Sequence, residues 1–203
     1  HQVDGIEMTN GAATGVNGMV LAEDDAPRGA KTNRDKVGEF TLSADRVIVT
    51  SGGIGGDLDR VRKAWPVEEL GPVPDRMVCG VPAHVDGRML DVTEAAGGSL
   101  INGDRLWTYT EGVQNWDPIW PDHGIRILPE PSSMWFDATG NRLNPPALPG
   151  FDTRGTLKEI LKTGHSYSWF VLTQAVIKKE FALSGSEQNP DFTSGSWLEV
   201  IKE

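Results

Sequence analysis

Residues 47–56 read VIVTSGGIGG, and residues 57–66 continue as DLDRVRKAWP. An apolar β-branched run enters a glycine cluster. Leu58, Val61 and Trp65 then fall at helical spacing, and Pro66 ends the helix. The pattern predicts a strand, a tight turn and a helix. Val47–Val49 is expected to be a buried strand, because buried parallel strands read as continuous Val/Ile runs. Glycines let the backbone approach a ligand closely, and a helix N-terminus favours an anion. A tight turn that binds nothing fits the same spacing. The dinucleotide pattern G-x-G-x-x-G is not met. Counted from Gly53 its last glycine is replaced by Leu58, and counted from Gly52 the later glycines are replaced by Ile54 and Asp57. A nucleotide site built on this turn therefore needs another half.

Outward from this stretch, residues 1–22 alternate apolar and polar positions around Asn10-Gly11 and Asn17-Gly18, both hairpin signals. Residues 23–37 read as a polar loop, and Phe40 and Leu42 alternate in a strand beyond it. Residues 66–83 carry four prolines and read as a linker or wrapped loop. Residues 86–97 form a helix whose apolar face is Met89, Leu90, Val92, Thr93 and Ala96, stopped by Gly97-Gly98. From residue 104 to 150 the texture changes, with Trp107, Trp116, Trp120 and Trp135 among many prolines. Met134–Gly140 reads as a strand entering a turn, 154–163 as a short helix, Trp169–Leu172 as a strand and Gln174–Phe181 as a helix. No internal repeat is present. The shift near residue 100 predicts a boundary there, in a chain of α+β class.

Composition narrows the function. The chain has 203 residues, 38% hydrophobic and 24% charged, enough for a packed core. A formal charge of −10 argues against a nucleic-acid partner, which needs a basic face. Cys79 is the single cysteine, so no internal disulfide is possible and a cytoplasmic location is the simplest expectation. His1, His84, His123 and His165 lie far apart and show no metal-ligand spacing. No run approaches the ~20 apolar residues of a membrane span. His1-Gln2-Val3 lacks the basic and apolar regions of a secretory leader. The absence of a starting methionine fits an internal fragment.

Four blocks carry a resemblance. Thr50-Ser51-Gly52-Gly53 looks like the second flavin-contacting motif, Ala-Thr-Gly-Gly, of two-domain flavoproteins. HVDGRMLDVTEAAGGSL (84–100) resembles the Gly-Asp-Gly…Ala-Gly-Gly helix of the fumarate reductase and 3-ketosteroid Δ1-dehydrogenase superfamily. MWFDATGNRLNPP (134–146) resembles its Asn-x-x-Gly-x-Arg segment, and residues 153–172 its Thr-Arg…Ile-Leu segment. The blocks follow the family's order, and FALSGSEQNPD (181–191) looks like its ketosteroid-type subgroup.

The resemblance implies an internal portion of an FAD-dependent oxidoreductase acting on a carbon–carbon bond beside a carbonyl. Residues 1–103 would be the middle of a three-layer FAD-binding domain and 104–203 part of a smaller cap over substrate. The upstream pyrophosphate fingerprint and a downstream flavin segment would lie outside the chain. The isolated chain is expected to be inactive and to hold FAD weakly or not at all. The substrate would be a small molecule, steroid-like or an enoate.

The resemblance also assigns residues, each beside a plainer reading. Val3, Thr50, Ser51, Gly52, Gly53, Asp86 and Gly87 would contact FAD. Val3 equally suits an ordinary strand, and Asp86 an N-cap. Tyr109 falls where fumarate reductases place a substrate-binding histidine, and a tyrosine there suits ketosteroid-type enzymes, in which it would take a proton beside a carbonyl. It also suits an amphipathic core position. Arg154 follows Thr153 as the proton-donating arginine follows threonine in fumarate reductases, although Asn144-Pro145 and the proline-rich loop after it break the register. A solvated arginine at a helix start fits as well. Arg142 reads as structural, pairing a carboxylate. The tryptophans suit a pocket for a flat apolar substrate or, more simply, the core. A different class remains open: a non-catalytic binding or assembly module whose tryptophan-rich half is a partner surface.

Overall fold

A computed structural model of the chain describes residues 1–26, 30–51, 53–128, 132–145, 147, 151–180 and 182–184. Strands β1 (Gln2–Thr9) and β2 (Ala12–Leu21) form a hairpin, and β3 (Lys36–Ser43) pairs antiparallel with the far edge of β2. The turn sits at Asn10-Gly11, with φ of 51° and 78°. Two successive positive φ values are what a right-twisted two-residue hairpin needs, and Asn-Gly adopts them at least cost.

The second expected turn is not one. Asn17-Gly18 lies inside β2, where Gly18 faces Val3 across the ladder. A Cβ on Gly18 would stand 1.9 Å from the Gln2 carbonyl oxygen. The glycine marks a close backbone approach within a strand, a use that shares its sequence signal with a turn. Asn17 Nδ2 meanwhile donates to the Glu7 carboxylate on β1.

Val47–Val49 corrects a second expectation. It forms no strand, and Ile48 is 84% exposed. A β-branched run becomes a strand only when a neighbour pairs with its backbone, and among the described residues no strand lies beside it. The helix after the glycines is present: α1 (Leu58–Lys63) is capped by Asp57, whose carboxylate accepts from the Asp59 and Arg60 N–H groups at 3.1 Å. Val61 and Trp65 are buried, and Trp65 Nε1 donates to the Gly71 carbonyl. The proline-rich loop contains a short helix, α2 (Val67–Leu70), which the sequence reading placed in coil.

Helix α3 (Arg88–Ala95) starts at Gly87, the N-cap, in a left-handed conformation. No residue of α3 is fully buried. In the second half, β4 (Gly112–Gln114) and β5 (Gly124–Leu128) pair antiparallel, and β6 (Met134–Asp137) enters the turn at Gly140. Helix α4 (Thr153–Leu161) is capped by Asp152, which accepts from Gly155 N–H at 2.9 Å. Strand β7 (Ser168–Val171) pairs with β6, and α5 (Gln174–Lys179) is capped by Thr173. Strand β8 (Ala182–Ser184) completes the β4–β5 sheet. β4, β5 and β8 were not read from the sequence. The fold mixes helices and antiparallel strands, as an α+β chain should.

Trp135, Leu143 and Ile160 form a buried cluster with Phe170 against it, the Trp135 and Phe170 ring centroids 4.4 Å apart. Trp65, Trp120 and Trp135 are core residues, the plainer of the two readings for these three. Trp107, at 86% exposure, is the opposite case. Arg142 is exposed, and no carboxylate among the described residues lies within ion-pairing distance of it, contrary to the expected pairing. No helix among the described residues is long and apolar enough to cross a membrane, and no group of three or more His, Cys, Asp or Glu there is arranged to hold a metal.

Candidate functional site

Two segments distant in sequence meet at the glycine turn. The Gly56 N–H donates to the Val85 carbonyl at 2.9 Å. A Cβ on Gly56 would stand 2.3 Å from the Pro82 carbonyl oxygen, and one on Gly87 would stand 2.7 Å from Ile54 Cγ2. The glycines at 56 and 87 thus serve this chain's own packing. They bring residues 53–57 against 82–87, directly before α3, and α3 in turn lies against β1. Val3 on β1 is half-buried and paired to Gly18. Gly53 and the Asp86-Gly87 pair therefore lie on the two segments that meet, with Thr50 and Ser51 just before the first, whereas Gly52 lies outside the described residues.

Within that neighbourhood the chemistry divides. Thr50 and Ser51 are exposed, and Gly53 has a φ of 94°, which an L side chain rarely adopts. Asp86 is engaged internally: it accepts from the Arg88 N–H at 3.0 Å and from the Arg88 guanidinium at 2.7 Å. Burial pushes its carboxyl up, but these bonds, the Arg88 charge and its own backbone N–H together hold it below the usual range. Asp86 is not itself the N-cap, yet it satisfies the first free N–H of α3. Arg60 joins α1 to α3 through a two-pronged pair with Asp91. The Asp91 hydrogen bond raises the guanidinium's pKa, and the same bond lowers that of the carboxyl.

The two residues expected to do chemistry lie apart from this turn. Arg154, in the first turn of α4, makes a fork-to-fork pair with Glu69 on α2. This bond holds the guanidinium above its ordinary value and the Glu69 carboxyl below its own. Arg154 and Glu69 line an open groove of about 640 Å³ with Arg105, Trp107, Thr108 and Thr153. The Thr108 Oγ1 is buried there without a hydrogen-bond partner. Tyr109, next in sequence, is not among the lining residues. Its ring lies under the Arg126 guanidinium at 3.8 Å from the centroid, and Trp107 is 6.3 Å away, centroid to centroid.

Behind Tyr109 is a buried polar group that the sequence did not reveal. Glu111 is 2% exposed and pairs with Arg126. His123 is 1% exposed and stacks on Trp120 at 3.6 Å. His123 Nδ1 lies 3.0 Å from Asn115 Nδ2 and 3.1 Å from the Ile119 N–H. Two donors at one nitrogen require it to be unprotonated, so the ring is neutral with its hydrogen on Nε2. Burial lowers its pKa, which keeps it so. The Cys79 N–H donates to the Asp122 carbonyl, and Trp120 Nε1 donates to the Cys79 carbonyl at 3.1 Å. These bonds tie the proline-rich loop of the first half to the second. Burial, and secondarily Asp122, pushes the Cys79 thiol up, away from nucleophilic chemistry.

Comparison with known proteins places these features in a family. The FAD binding domain family matches residues 1–196. The chain is 56% identical over 201 residues to a KsdD-like steroid dehydrogenase of Mycolicibacterium smegmatis, covering 99% of this chain and 37% of that protein. It is 58% identical over 193 residues to a KsdD-like steroid dehydrogenase of Mycobacterium tuberculosis, covering 95% of this chain and 34% of that protein. The chain thus spans about a third of the length of the curated relatives it matches. No solved structure matches it.

The residues present fit such a cofactor in part. Thr50, Ser51 and Gly53 are exposed and carry hydrogen-bonding groups, as a polar cofactor edge requires, while the Val85 side chain packs against Gly53.

Proposed function

The chain belongs to the FAD binding domain family, and on that premise we propose that it works within a longer FAD-dependent oxidoreductase acting on a carbon–carbon bond adjacent to a carbonyl. Bound FAD would exchange a hydride with the substrate. The substrate class is a ketosteroid or similar flat enone, a reading supported by the steroid dehydrogenases it is similar to. Residues 1–103 act as the middle of an interrupted three-layer FAD domain, and 104–203 act as part of a cap.

The carrying observation is the convergence of residues 53–57 and 82–87. In this reading Thr50, Ser51, Gly52 and Gly53 hold a polar edge of FAD, with Asp86 and Gly87 fixing the adjoining helix start and Val3 lending backbone groups. Tyr109 exchanges a proton with the substrate carbon beside the carbonyl through its hydroxyl. The Glu69 carboxylate keeps Arg154 charged, so Arg154 holds a substrate oxygen by hydrogen bonds and does not hand over a proton. Trp107 offers a flat apolar face beside it.

The test is the absorbance spectrum of the full-length protein. Flavin bands, with FAD released on denaturation, support the reading, and turnover of ketosteroids against simple enoates then separates the substrate classes. A colourless protein that takes up no added FAD would overturn it.

A further inference from the structure

We infer that Arg126, clamped by buried Glu111, is a positioning residue that fixes the ring of Tyr109. The inference rests on the reading of Tyr109 as the proton-handling group. The Glu111 side chain has no exposed surface, yet it is well satisfied. Its Oε1 accepts from Arg126 at 2.8 Å (Nε) and 2.7 Å (a terminal guanidinium nitrogen). Its Oε2 accepts from the Thr110 N–H at 3.0 Å and the Thr110 hydroxyl at 3.1 Å. Its backbone carbonyl accepts from the Ile127 N–H at 2.9 Å. A buried carboxylate with all these bonds is rigid, and its loss strands a charge.

Arg126 sits on β5 opposite Gly112 on β4. Its guanidinium has two engagements. Its N–H edge meets the Glu111 carboxylate, and its carbon lies 3.8 Å from the Tyr109 centroid. A planar cation stacks on an aromatic face in this way, and lysine, a point charge on a flexible stem, cannot reproduce both contacts. Tyr109 is 42% exposed, and the Trp107 ring stands farther off, 6.3 Å centroid to centroid. The Arg126 stack is what gives an otherwise open tyrosine one orientation, and orientation of a reacting group governs rate.

The experiment uses the full-length, flavin-loaded protein and the variants Y109F, R126M and R126K. Ketosteroid turnover gives kcat and KM. Nitration by tetranitromethane, mapped by peptide mass spectrometry, reports the ring of Tyr109 independently of turnover, with Tyr167 as internal reference. R126M is expected to lower kcat about tenfold with KM nearly unchanged, and to raise Tyr109 nitration several-fold while Tyr167 stays constant. R126K should recover only part of each, and it carries both readouts if R126M does not fold. Wild-type kcat and unchanged nitration in the arginine variants, with Y109F inactive, would overturn the positioning role alone. Wild-type turnover by Y109F would overturn the underlying reading of Tyr109 and the catalytic use of the stack with it, even where nitration shows the stack to exist.

Discussion

The sheet β1–β2–β3 and the block from Tyr109 to Ile127 hold themselves together by opposite means. In the sheet the strands are eight to ten residues long, and the only fully buried residues are Gly15 and Gly18. Its order comes from long backbone ladders and a local turn. In the later block β4 and β5 are three and five residues long, while Glu111, Asn115 and His123 are buried together with Trp120 and Ile125. Its order comes from side chains that find polar partners out of water. The difference teaches where each region is fragile. The sheet fails when backbone spacing is disturbed, and the block fails when a buried polar group loses its partner.

The largest expected effect is in the block. Glu111→Ala leaves the Arg126 guanidinium without its carboxylate and removes the one oxygen, Oε2, that accepts from both the Thr110 N–H and its hydroxyl. Breaking a buried pair on one side costs about 3–5 kcal/mol, readable as a lower midpoint in urea denaturation of the full-length protein. A loss below about 1 kcal/mol would show that the block does not depend on its buried charge. Next comes Gly18→Ala in the sheet. The added methyl meets the Gln2 carbonyl oxygen, and such overpacking costs about 1–3 kcal/mol, with loss of amide-exchange protection in β1 as the specific sign.

A smaller, graded effect separates the regions by pH. Burial lowers the pKa of His123 in the fold, while an unfolded histidine titrates near ~6.5. Below that value the unfolded chain binds the additional proton, so this contribution is intact above ~6.5 and is lost as pH falls toward the folded value. Melting temperature should decline over that window, and His123→Gln should flatten the decline. An identical slope in the variant would assign the acid sensitivity elsewhere. The smallest effect is Asn10→Ala at the hairpin turn, where φ is 51°. Placing alanine in the left-handed region costs about 1 kcal/mol, and thermal melts compared with those of Gly18→Ala would rank turn against ladder.

These regions also differ in how far they could be read in advance. Asn10-Gly11 and the spacing of Leu58, Val61 and Trp65 are local instructions, and the structure follows them. The β6 turn and the helix at Thr153 are of the same kind. Asn17-Gly18 misled because a glycine needed for close strand approach has the sequence signature of a turn. Val47–Val49 misled because strand formation depends on a neighbour. Glu111 carried no signal at all, since a glutamate in Thr-Tyr-Thr-Glu-Gly looks solvated until Arg126 arrives across β4 and β5.

By itself, the sequence determined the hairpin at Asn10-Gly11, four of the five described helices, the α+β class and, through four motif blocks, the FAD binding domain family. Those are properties of neighbouring residues or of ordered motifs, and they survive without knowledge of packing. Only the tertiary structure decided that residues 53–57 rest against 82–87, that Arg154 is paired with Glu69, and that Arg126 lies between Glu111 and Tyr109. Each of these depends on residues brought together from separate parts of the chain, and the strength of a charge or hydrogen bond depends on the burial that the completed fold imposes.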